Sequence, residues 1–505
     1  MRLVLVGDIG WSDLYHLGDE AMTERALEAL AVRGVRDVTL VAGSPEHAAA
    51  RYGVRTVPRL GFKDRRRRGW NVARRDQVLQ EVRTPGVLPA SDPAHQVIEA
   101  VRAADAVLVA GGGNLTTFFA QHVFERTTLF AVARELGVPF ALTSQTVGPL
   151  LSRADMDELR PMLAGAVAVG AREGATAALV SQVTSGSATV VRTMDDAFGL
   201  APTAADEDAV ARLGLPSWYL IASFTQNPST PLVDQDAYLR LAARTTSELA
   251  RVHDADVLLV PHAGNPGDGP GTRDQVTNDR IAQLADDVRV RPTPLLTARQ
   301  VAALTARAGL VVGTRYHPAI IAARSAVPAV ALAPTLYSSV RMRGAAANVG
   351  MPQHVLGLDS WRSGDLVRAA TELRDDAVGV RQHLERVGAV RRAESDAWWD
   401  ALVAALSTGS RVDAADLADV EPYLSPGSWP AAAGHLLDAT ERFDRERLLA
   451  AWERERLTER IARLEAARAD TPAAPTAPRS PVERTGGRGL VRGALRSLRR
   501  EAPVP

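Results

Sequence analysis

The sequence predicts an α/β protein built from two parallel-sheet halves of similar size. Short apolar runs of strand length alternate with longer segments of helical spacing, which is the pattern of successive βα units. The alternation breaks at residues 201–208 and then starts again. A chain of 505 residues is long enough for more than one domain with a sizeable core. We therefore expect two α/β halves joined near residue 205.

The first half contains the first set of predicted elements. Each predicted strand is a short apolar run closed by glycine, proline or a polar turn. These strands cover residues 1–7, 37–42, 106–110, 139–145 and 166–170. Predicted helices cover residues 20–32 and 117–136. Because helices of this kind cross between parallel strands, the order predicts a parallel sheet.

The second half repeats the pattern. Its predicted strands cover residues 218–224, 256–261, 288–291, 310–313 and 329–333. Its predicted helices cover residues 232–252, 275–285, 297–308 and 317–325. Ligands of open α/β sheets bind beyond the carboxyl ends of the strands. We therefore expect a binding site in the crevice between the two halves.

The chain becomes helical and charged from about residue 360. Residues 441–469 are rich in Glu, Arg, Leu and Ala. One heptad series there is apolar throughout, whereas the complementary series contains Arg447 and Arg454. Half of a coiled-coil seam is therefore present, which leaves open a solvated single helix and self-association into a homo-oligomer.

The last residues differ in composition from the rest. Residues 471–481 form a Pro/Ala-rich linker that we expect to be disordered. The basic segment 479–505 places apolar side chains on one helical face and arginines elsewhere. It could lie on an anionic membrane surface or remain a solvated basic tail.

Composition excludes several classes of protein. The 59 basic residues balance 59 acidic ones, whereas a general nucleic-acid binder is normally basic. The absence of cysteine excludes thiol nucleophiles, iron–sulfur clusters and Cys-ligated zinc. The sequence shows no secretory signal, no run of about 18 apolar residues and no metal-ligand constellation. We therefore expect a cytoplasmic protein without a metal or cofactor.

Two glycine-rich motifs follow strands of the first half. Asp19 lies where a predicted helix begins, so it is either a functional carboxylate or a simple helix cap. Gly111, Gly112 and Gly113 precede Asn114 and let the backbone approach a bulky ligand such as a sugar or phosphate. A sharp strand-to-helix turn is the alternative for these glycines.

Two more polar residues follow later strands of the first half. Gln145 has hydroxyl neighbours at a strand end, where it could hydrogen-bond a sugar-like ligand. Arg172 follows the next strand and is either a buried anion clamp or a partner of nearby acidic groups. In the second half, His262 ends a strand before a glycine-rich loop, and Arg341 extends a basic lining.

The sharpest feature of the sequence is the group Arg315, Tyr316 and His317. It follows the predicted strand 310–313 and opens a helix. Cationic side chains at a helix N-terminus oppose the helix dipole unless an anion joins them. Such a conflict is expected at a functional site, although Arg315 could instead pair with an acidic side chain.

Taken in order, these motifs resemble those of the polysaccharide pyruvyl transferase family. That family has N-x-G-D-E, then G-G-G, then G-Q-x-x-G-P, an arginine after the next strand, and R-x-H-A. The corresponding segments here are residues 17–20, 111–113 and 145–149, followed by Arg172 and residues 315–317. His16, Ser144 and Pro318 stand where the family usually has Asn, Gly and Ala. The resemblance covers about residues 1–400.

The resemblance implies two Rossmann-like domains arranged as in GT-B glycosyltransferases. It implies phosphoenolpyruvate as the donor and a sugar diol of a cell-envelope polysaccharide or glycolipid precursor as the acceptor, which can be lipid-linked. The product would be a cyclic pyruvate ketal. The resemblance and the sequence pattern together predict five parts of the chain: an acceptor-side domain (1–204), a donor-binding domain (205–360), closing helices (361–408), a helical extension (409–470) and a tail (471–505).

The resemblance also implies roles for individual residues. Arg315, Arg172 and His317 would hold the anionic donor, and His317 would protonate C3 or the leaving phosphate. Asp19 would act as the base for the acceptor hydroxyl. The other expected substrate-binding residues are Tyr316, Gly111, Gly112, Gly113, Asn114, Gln145, His262 and Arg341.

Two other functions remain open at this stage. A GT-B nucleotide-sugar glycosyltransferase would share the fold, but the glutamate pair of many retaining members is absent from residues 313–344. A non-catalytic assembly protein would use the basic tail for peripheral contact with the inner face of a membrane. Nucleic acid is not an expected partner in either case.

Overall fold

The computed structural model describes residues 1–62, 68–226, 233–267 and 269–423. All of these described residues belong to one compact unit. The predicted coiled-coil helix, linker and basic tail all lie outside the described residues. Within the described residues, none of the helices is long and apolar enough to cross a lipid bilayer.

The first half folds into one parallel sheet of eight strands within the described residues. The strand order is β4-β3-β1-β5-β7-β8-β9, and β6 pairs with β7. The strands are β1 (Arg2–Val6), β3 (Asp37–Ala42), β4 (Arg55–Pro58), β5 (Ala106–Val109), β6 (Gly112–Leu115), β7 (Phe140–Val147), β8 (Ala168–Ala171) and β9 (Val190–Arg192). We call this sheet and its covering helices the first lobe.

The second half folds into a six-stranded parallel sheet, which with its helices we call the second lobe. The strand order is β13-β11-β10-β14-β15-β16 among the described residues. The strands are β10 (Tyr219–Ser223), β11 (Asp256–Leu259), β13 (Val290–Pro292), β14 (Leu310–Gly313), β15 (Ala329–Ala333) and β16 (Val355–Gly357). The prediction of two parallel α/β sheets is therefore confirmed.

Helices connect and cover the strands. Those of the first lobe are α1 (Leu17–Val32), α2 (Pro45–Tyr52), α3 (Arg68–Arg83), α4 (Ala94–Ala103), α5 (Ala120–Glu135), α6 (Arg153–Gly165) and α7 (Gly174–Val183). Next come α8 (Ala204–Ala211), α9 (Gln235–His253), α10 (Asp274–Leu284), α11 (Ala298–Thr305), α12 (Tyr316–Arg324) and α13 (Leu336–Ala347). The last described helices are α14 (Leu358–Arg362), α15 (Asp365–Asp375) and α16 (Ala377–Thr408).

A short two-stranded ladder links the lobes beside the crevice. Strands β2 (Tyr15–His16) and β12 (Ala263–Gly264) pair antiparallel, with Ala263 opposite His16. The amide of Leu17 continues the ladder by donating to the carbonyl of His262 at 2.9 Å. The loop after β1 is therefore tied by backbone hydrogen bonds to the loop after β11.

Helix α16 also contacts both lobes. Its first half buries Val380 and Leu384 in the apolar core of the second lobe. Its second half buries Trp398, Trp399 and Leu402 in the core of the first lobe. This helix therefore stabilises both lobes through apolar burial.

The segment after α16 differs from the predicted helical extension. Gly409 has a left-handed backbone (φ 68°), which ends the helix. Residues 410–423 then form no helix. They run back over the protein, where the Ala418 carbonyl accepts from Arg391 at 2.7 Å. The remainder of the predicted extension lies outside the described residues.

The sequence has a basic run at residues 63–68, followed by Arg74 and Arg75, which predicts a solvated loop or a contact with an anionic acceptor. Residues 63–67 lie outside the described residues. Three following arginines belong to α3 and are paired with carboxylates: Arg68 with Asp155, Arg74 with Asp92 and Arg75 with Glu158. Arg74 is buried. The helical part of this run is therefore bound to the protein itself.

Candidate active site

A cleft of about 560 Å³ lies where the carboxyl ends of the two sheets face each other. Both lobes contribute side chains to its walls. It collects most of the site residues that the sequence predicted, namely Asp19, Gly113, Asn114, Arg172, His262, Arg315, Tyr316, His317 and Arg341. Gly111, Gly112 and Gln145 are not part of the lining.

Gln145 supports the cleft from inside the sheet. Its side chain is buried, and its amide nitrogen donates to the carbonyls of Ala110 (2.7 Å) and Thr143 (2.8 Å). A Cβ on Gly111 would lie 2.6 Å from the sulfur of Met22. Gln145 and Gly111 thus shape the turn after β5, and neither lines the cleft.

Gly113 lies against the cleft wall of the second lobe. A Cβ there would lie 3.0 Å from Nη2 of Arg172 and 3.4 Å from Nη1 of Arg341. The hydroxyl of Tyr337 donates to the Gly113 carbonyl at 2.6 Å. The close approach predicted for the glycine motif is therefore made, at this position, to protein side chains that line the cleft.

Arg172 is a buried cation at the end of β8. Its guanidinium donates to Asp195 (2.7 Å), Thr146 (2.8 Å) and Glu173 (3.1 Å). Burial favours the neutral form, but neighbouring Tyr316, Asp195 and Glu173 hold the pKa of Arg172 above its usual value. The guanidinium is therefore charged and fixed in place, as electrostatic preorganisation requires.

Two guanidinium groups flank the ring of Tyr316. The Cζ atoms of Arg172 and Arg341 lie 4.4 Å and 4.8 Å from the ring centroid. Arg341 also lies 4.4 Å from the ring of Tyr337. The Tyr316 hydroxyl and Nε of Arg341 are buried without a hydrogen-bond partner among the described residues. The resulting wall is cationic and holds two unused polar groups, a combination that suits an anionic ligand.

Arg315 is neutralised by a carboxylate of the second lobe. Its Nε donates to Asp274 at 2.9 Å, and its Nη2 donates to the other oxygen of the same carboxylate. Asp274 is fully buried and also accepts from the amides of His262 (3.1 Å) and Ala263 (3.0 Å). The acidic-partner alternative from the sequence is thus realised, while Arg315 still lines the cleft.

His317 reaches across to the first lobe. A Cβ on Gly18 would lie 1.9 Å from the His317 imidazole, so only glycine fits in the first turn of α1. Nε2 of His317 is buried and has no hydrogen-bond partner among the described residues. Burial, reinforced by Arg172 and Arg341, lowers the pKa of His317 well below 6.5. The imidazole is therefore neutral at pH 7 when the cleft is empty.

Asp19 is not the cap of α1. The helix starts at Leu17 with His16 in the cap position, and no side chain caps it. The Asp19 carboxylate instead lies 3.0 Å from Nδ1 of His16 and lines the cleft. The capping alternative from the sequence is therefore wrong, and the carboxylate faces the site.

His262 provides a second neutral imidazole. Both of its ring nitrogens are buried without hydrogen-bond partners among the described residues. Burial lowers its pKa well below 6.5, and the charge of Arg315 acts in the same direction. A buried ring with two unused nitrogens at a cleft wall can bind a ligand group.

Sequence reasoning missed several lining residues. Tyr337 opens α13 after β15, and Asp8 and His122 belong to the wall of the first lobe. Position at a strand end was a usable signal for Asp8, which follows β1 directly. His122 is in the first turn of α5 and carried no such signal.

A family model for polysaccharide pyruvyl transferases matches residues 16–335. The chain belongs to the polysaccharide pyruvyl transferase family. The matched span begins at the β2–α1 junction and ends before α13. It contains the Asp19, Arg172 and Arg315–His317 motifs that meet in the cleft. No curated protein sequence matches the chain significantly.

Several solved structures share the fold of this chain. MnaA of S. aureus bound to UDP aligns at 11% identity over 84% of this chain and 100% of that one (TM-score 0.51). A UDP-N-acetylglucosamine 2-epimerase from Listeria monocytogenes aligns at 11% identity over 84% of this chain and 99% of its own, with a TM-score of 0.52. Anabaena HepE in complex with UDP and glucose aligns at 13% identity over 81% of this chain and 100% of its own, with a TM-score of 0.50. These likenesses confirm the expected GT-B-like fold and carry no statement about substrate.

Proposed function

We propose that this pyruvyl transferase family member moves a pyruvyl group from phosphoenolpyruvate to a sugar diol, forming a cyclic pyruvate ketal. The acceptor in this proposal is a polysaccharide or glycolipid precursor of the cell envelope. One observation carries the proposal, namely the wall formed by Arg172, Tyr316 and Arg341 beside the neutral imidazole of His317. That wall offers fixed positive charge and a titratable group to one ligand.

The donor needs cations because it carries a carboxylate and a phosphate. Among the described residues, Arg341 has no ion pair, whereas Arg172 and Arg315 have carboxylate partners. Arg341 therefore supplies the least compensated positive charge in this wall. Arg315 binds Asp274, which in turn binds the amide of His262 and so holds that loop. The remaining edge of the Arg315 guanidinium is available to the donor.

The reaction converts an enol phosphate and a diol into a ketal and free phosphate. C3 of the donor takes a proton as the C2–C3 double bond becomes single, and one acceptor hydroxyl loses its proton and bonds to C2. The C2–O bond to phosphate breaks, the second hydroxyl bonds to C2 to close the ketal, and its proton leaves with the phosphate. We assign the proton at C3 to His317. Its pKa is low in the empty cleft, and a bound anion beside the imidazole raises that pKa so that it can carry a proton. We assign to Asp19 the proton released by the acceptor hydroxyl.

The test measures donor binding and turnover with the full chain. We expect phosphoenolpyruvate to raise the melting temperature of the wild-type protein, because it binds only the folded state. Arg341→Ala should abolish that shift, and Arg280→Ala, which changes an exposed arginine on α10, should preserve it. Phosphate release with a panel of glycosides then reports turnover.

UDP- and GDP-sugars provide the competing arm of the same titration. A shift with one of these nucleotide-sugars, combined with no shift for phosphoenolpyruvate, would contradict pyruvyl transfer and favour glycosyl transfer. A phosphoenolpyruvate shift that survives in Arg341→Ala would remove the donor assignment from this wall.

A further inference from the structure

The wall of the first lobe contains a polar group that the donor proposal does not use. Asp8 follows β1, and His122 is in the first turn of α5; both line the cleft. Phe119 and Gln121, next to His122 in the chain, line the same wall. The Asp8 side chain is 24% exposed, so it is open to a ligand.

Asp8 is held by Arg59 and lies close to His122, both from within the lobe. One carboxylate oxygen accepts from Nη1 of Arg59, and the other lies 3.3 Å from Nε2 of His122. Arg59 is itself fixed by Glu125, whose oxygen accepts from its Nε at 3.0 Å. Burial opposes ionisation of Asp8, but His122 and Arg59 hold its pKa below the usual value. The carboxylate is therefore charged and oriented.

The neighbours of His122 determine its tautomer. Its Nδ1 lies 3.1 Å from Nη2 of Arg59 and 3.0 Å from Nη1 of Arg126. Arginine nitrogens only donate hydrogen bonds, so Nδ1 must accept. Burial lowers the pKa of His122 to about 4, which leaves the ring neutral at pH 7. The single ring proton is then on Nε2, the nitrogen that lies 3.3 Å from the Asp8 carboxylate.

The geometry leaves Asp8 as a fixed acceptor at the cleft surface. One carboxylate oxygen accepts from Arg59, and the carboxylate keeps lone pairs for a ligand donor. Phe119 adds an aromatic face, 37% exposed and 6.1 Å from the His122 ring. Gln121 can both donate to and accept from hydroxyl groups. A fixed carboxylate, an amide and an exposed ring match the hydroxyl-rich edges and apolar faces of a sugar.

We propose that Asp8, Phe119, Gln121 and His122 form the subsite for the acceptor sugar. In this subsite Asp8 accepts a hydrogen bond from an acceptor hydroxyl, and His122 is a positioning residue that orients Asp8. The assignment of this sugar as acceptor rests on the proposed function.

Saturation-transfer NMR with the full chain tests the subsite without requiring turnover. The probes are the methyl glycosides of galactose, glucose and mannose. We expect at least one glycoside to bind the wild-type protein and its affinity to fall at least tenfold in Asp8→Asn. Asp13→Asn, which changes an exposed carboxylate of the same loop, is the matched control and should bind as the wild type does.

A second pair of variants avoids the buried ion pairs. Phe119→Ala removes the exposed ring from the cleft and should weaken glycoside binding. Phe118→Ala removes an equally exposed neighbour that is outside the cleft lining and should leave binding unchanged. Equal binding by Phe119→Ala, Asp8→Asn and the wild type would overturn the subsite, as would a wild type that binds none of the glycosides.

The positioning role of His122 has its own readout. Gln at this position can still present an N–H to Asp8, whereas Ala cannot. We therefore expect His122→Gln to restore glycoside affinity that His122→Ala loses, and equal affinities in the two variants would contradict the role. The thermal shift with phosphoenolpyruvate is measured in parallel. If it is absent while glycoside binding depends on Asp8, pyruvyl transfer fails and the sugar subsite stands.

Discussion

Gly18 shows how a single small residue permits the site to assemble. The His317 imidazole occupies the space that a side chain at residue 18 would fill, so the motif of the first lobe and the motif of the second lobe meet in direct contact. The neutral state of His317 follows from this burial and from the nearby charges of Arg172 and Arg341. At this scale, glycine is required by tertiary packing rather than by backbone conformation.

Gly18→Ala tests this contact. The added Cβ would overlap the imidazole, so His317 must move, and a displacement of about 1 Å can cost about 100-fold in rate. We expect kcat for phosphate release to fall by about that factor while the protein remains folded. Gly174→Ala, at the start of α7 with nothing within 4 Å of the added carbon, should leave kcat unchanged. A Gly18→Ala variant of normal kcat would contradict the catalytic placement of His317.

At the scale of the element, the first turn of α12 resolves a conflict that the sequence presents. Arg315 and His317 stand where the helix dipole disfavours cations. The structure avoids both unfavourable interactions with the dipole, because Asp274 neutralises Arg315 and burial keeps His317 uncharged. The same Asp274 binds two amides at the end of β11, so helix α10 and helix α12 are tied at their N-termini.

Asp274→Asn measures this tie. The change leaves Arg315 without its charge partner, and breaking a buried ion pair costs about 3–5 kcal/mol. We expect a loss of that order in the free energy of unfolding, obtained by urea denaturation. Asp279→Asn, an exposed position on the same helix, is the control and should change stability by less than about 0.5 kcal/mol. Equal stability of both variants would show that Asp274 does not organise the loop.

At the scale of the molecule, several specific contacts join the lobes. The β2–β12 ladder carries backbone hydrogen bonds across the cleft edge, and α16 packs on both cores. Beside the ladder, the buried Tyr15 hydroxyl accepts from the amide of Ala298, at the start of α11, at 2.7 Å. These contacts fix the two cleft walls relative to each other.

Tyr15→Phe removes one of these links. The amide of Ala298 would lose its acceptor, and an unsatisfied buried amide costs about 1–3 kcal/mol. We expect that loss in urea denaturation. Tyr52→Phe is the matched control, because the buried Tyr52 hydroxyl has no hydrogen-bond partner among the described residues. If Tyr52→Phe lost as much stability as Tyr15→Phe, the link across the lobes would not be the cause.

The sequence by itself determined the two α/β sheets, and most of the site residues that it predicted line the cleft. Predicted strands at residues 37–42, 310–313 and 329–333 match β3, β14 and β15 at both ends. Buried parallel strands are short apolar runs, which makes them legible in a sequence. Asp19, Arg172 and Arg315 were predictable as neighbours because ligands of open α/β sheets bind beyond the carboxyl ends of the strands, here in the crevice that both sheets face.

The tertiary structure alone decided how each site residue is used. Gln145 was predicted at a strand end, as Arg172 was, yet it lies inside β7 and its amide turns into the sheet, while Arg172 follows β8 and reaches the cleft. Other site residues depend on partners that are distant in the sequence. Asp274 pairs with Arg315, and Gly18 leaves room for His317. Arg59 and His122 lie against Asp8. Charge balance and protonation depend on which groups packing brings within a few ångströms, and spacing along the sequence does not contain that information.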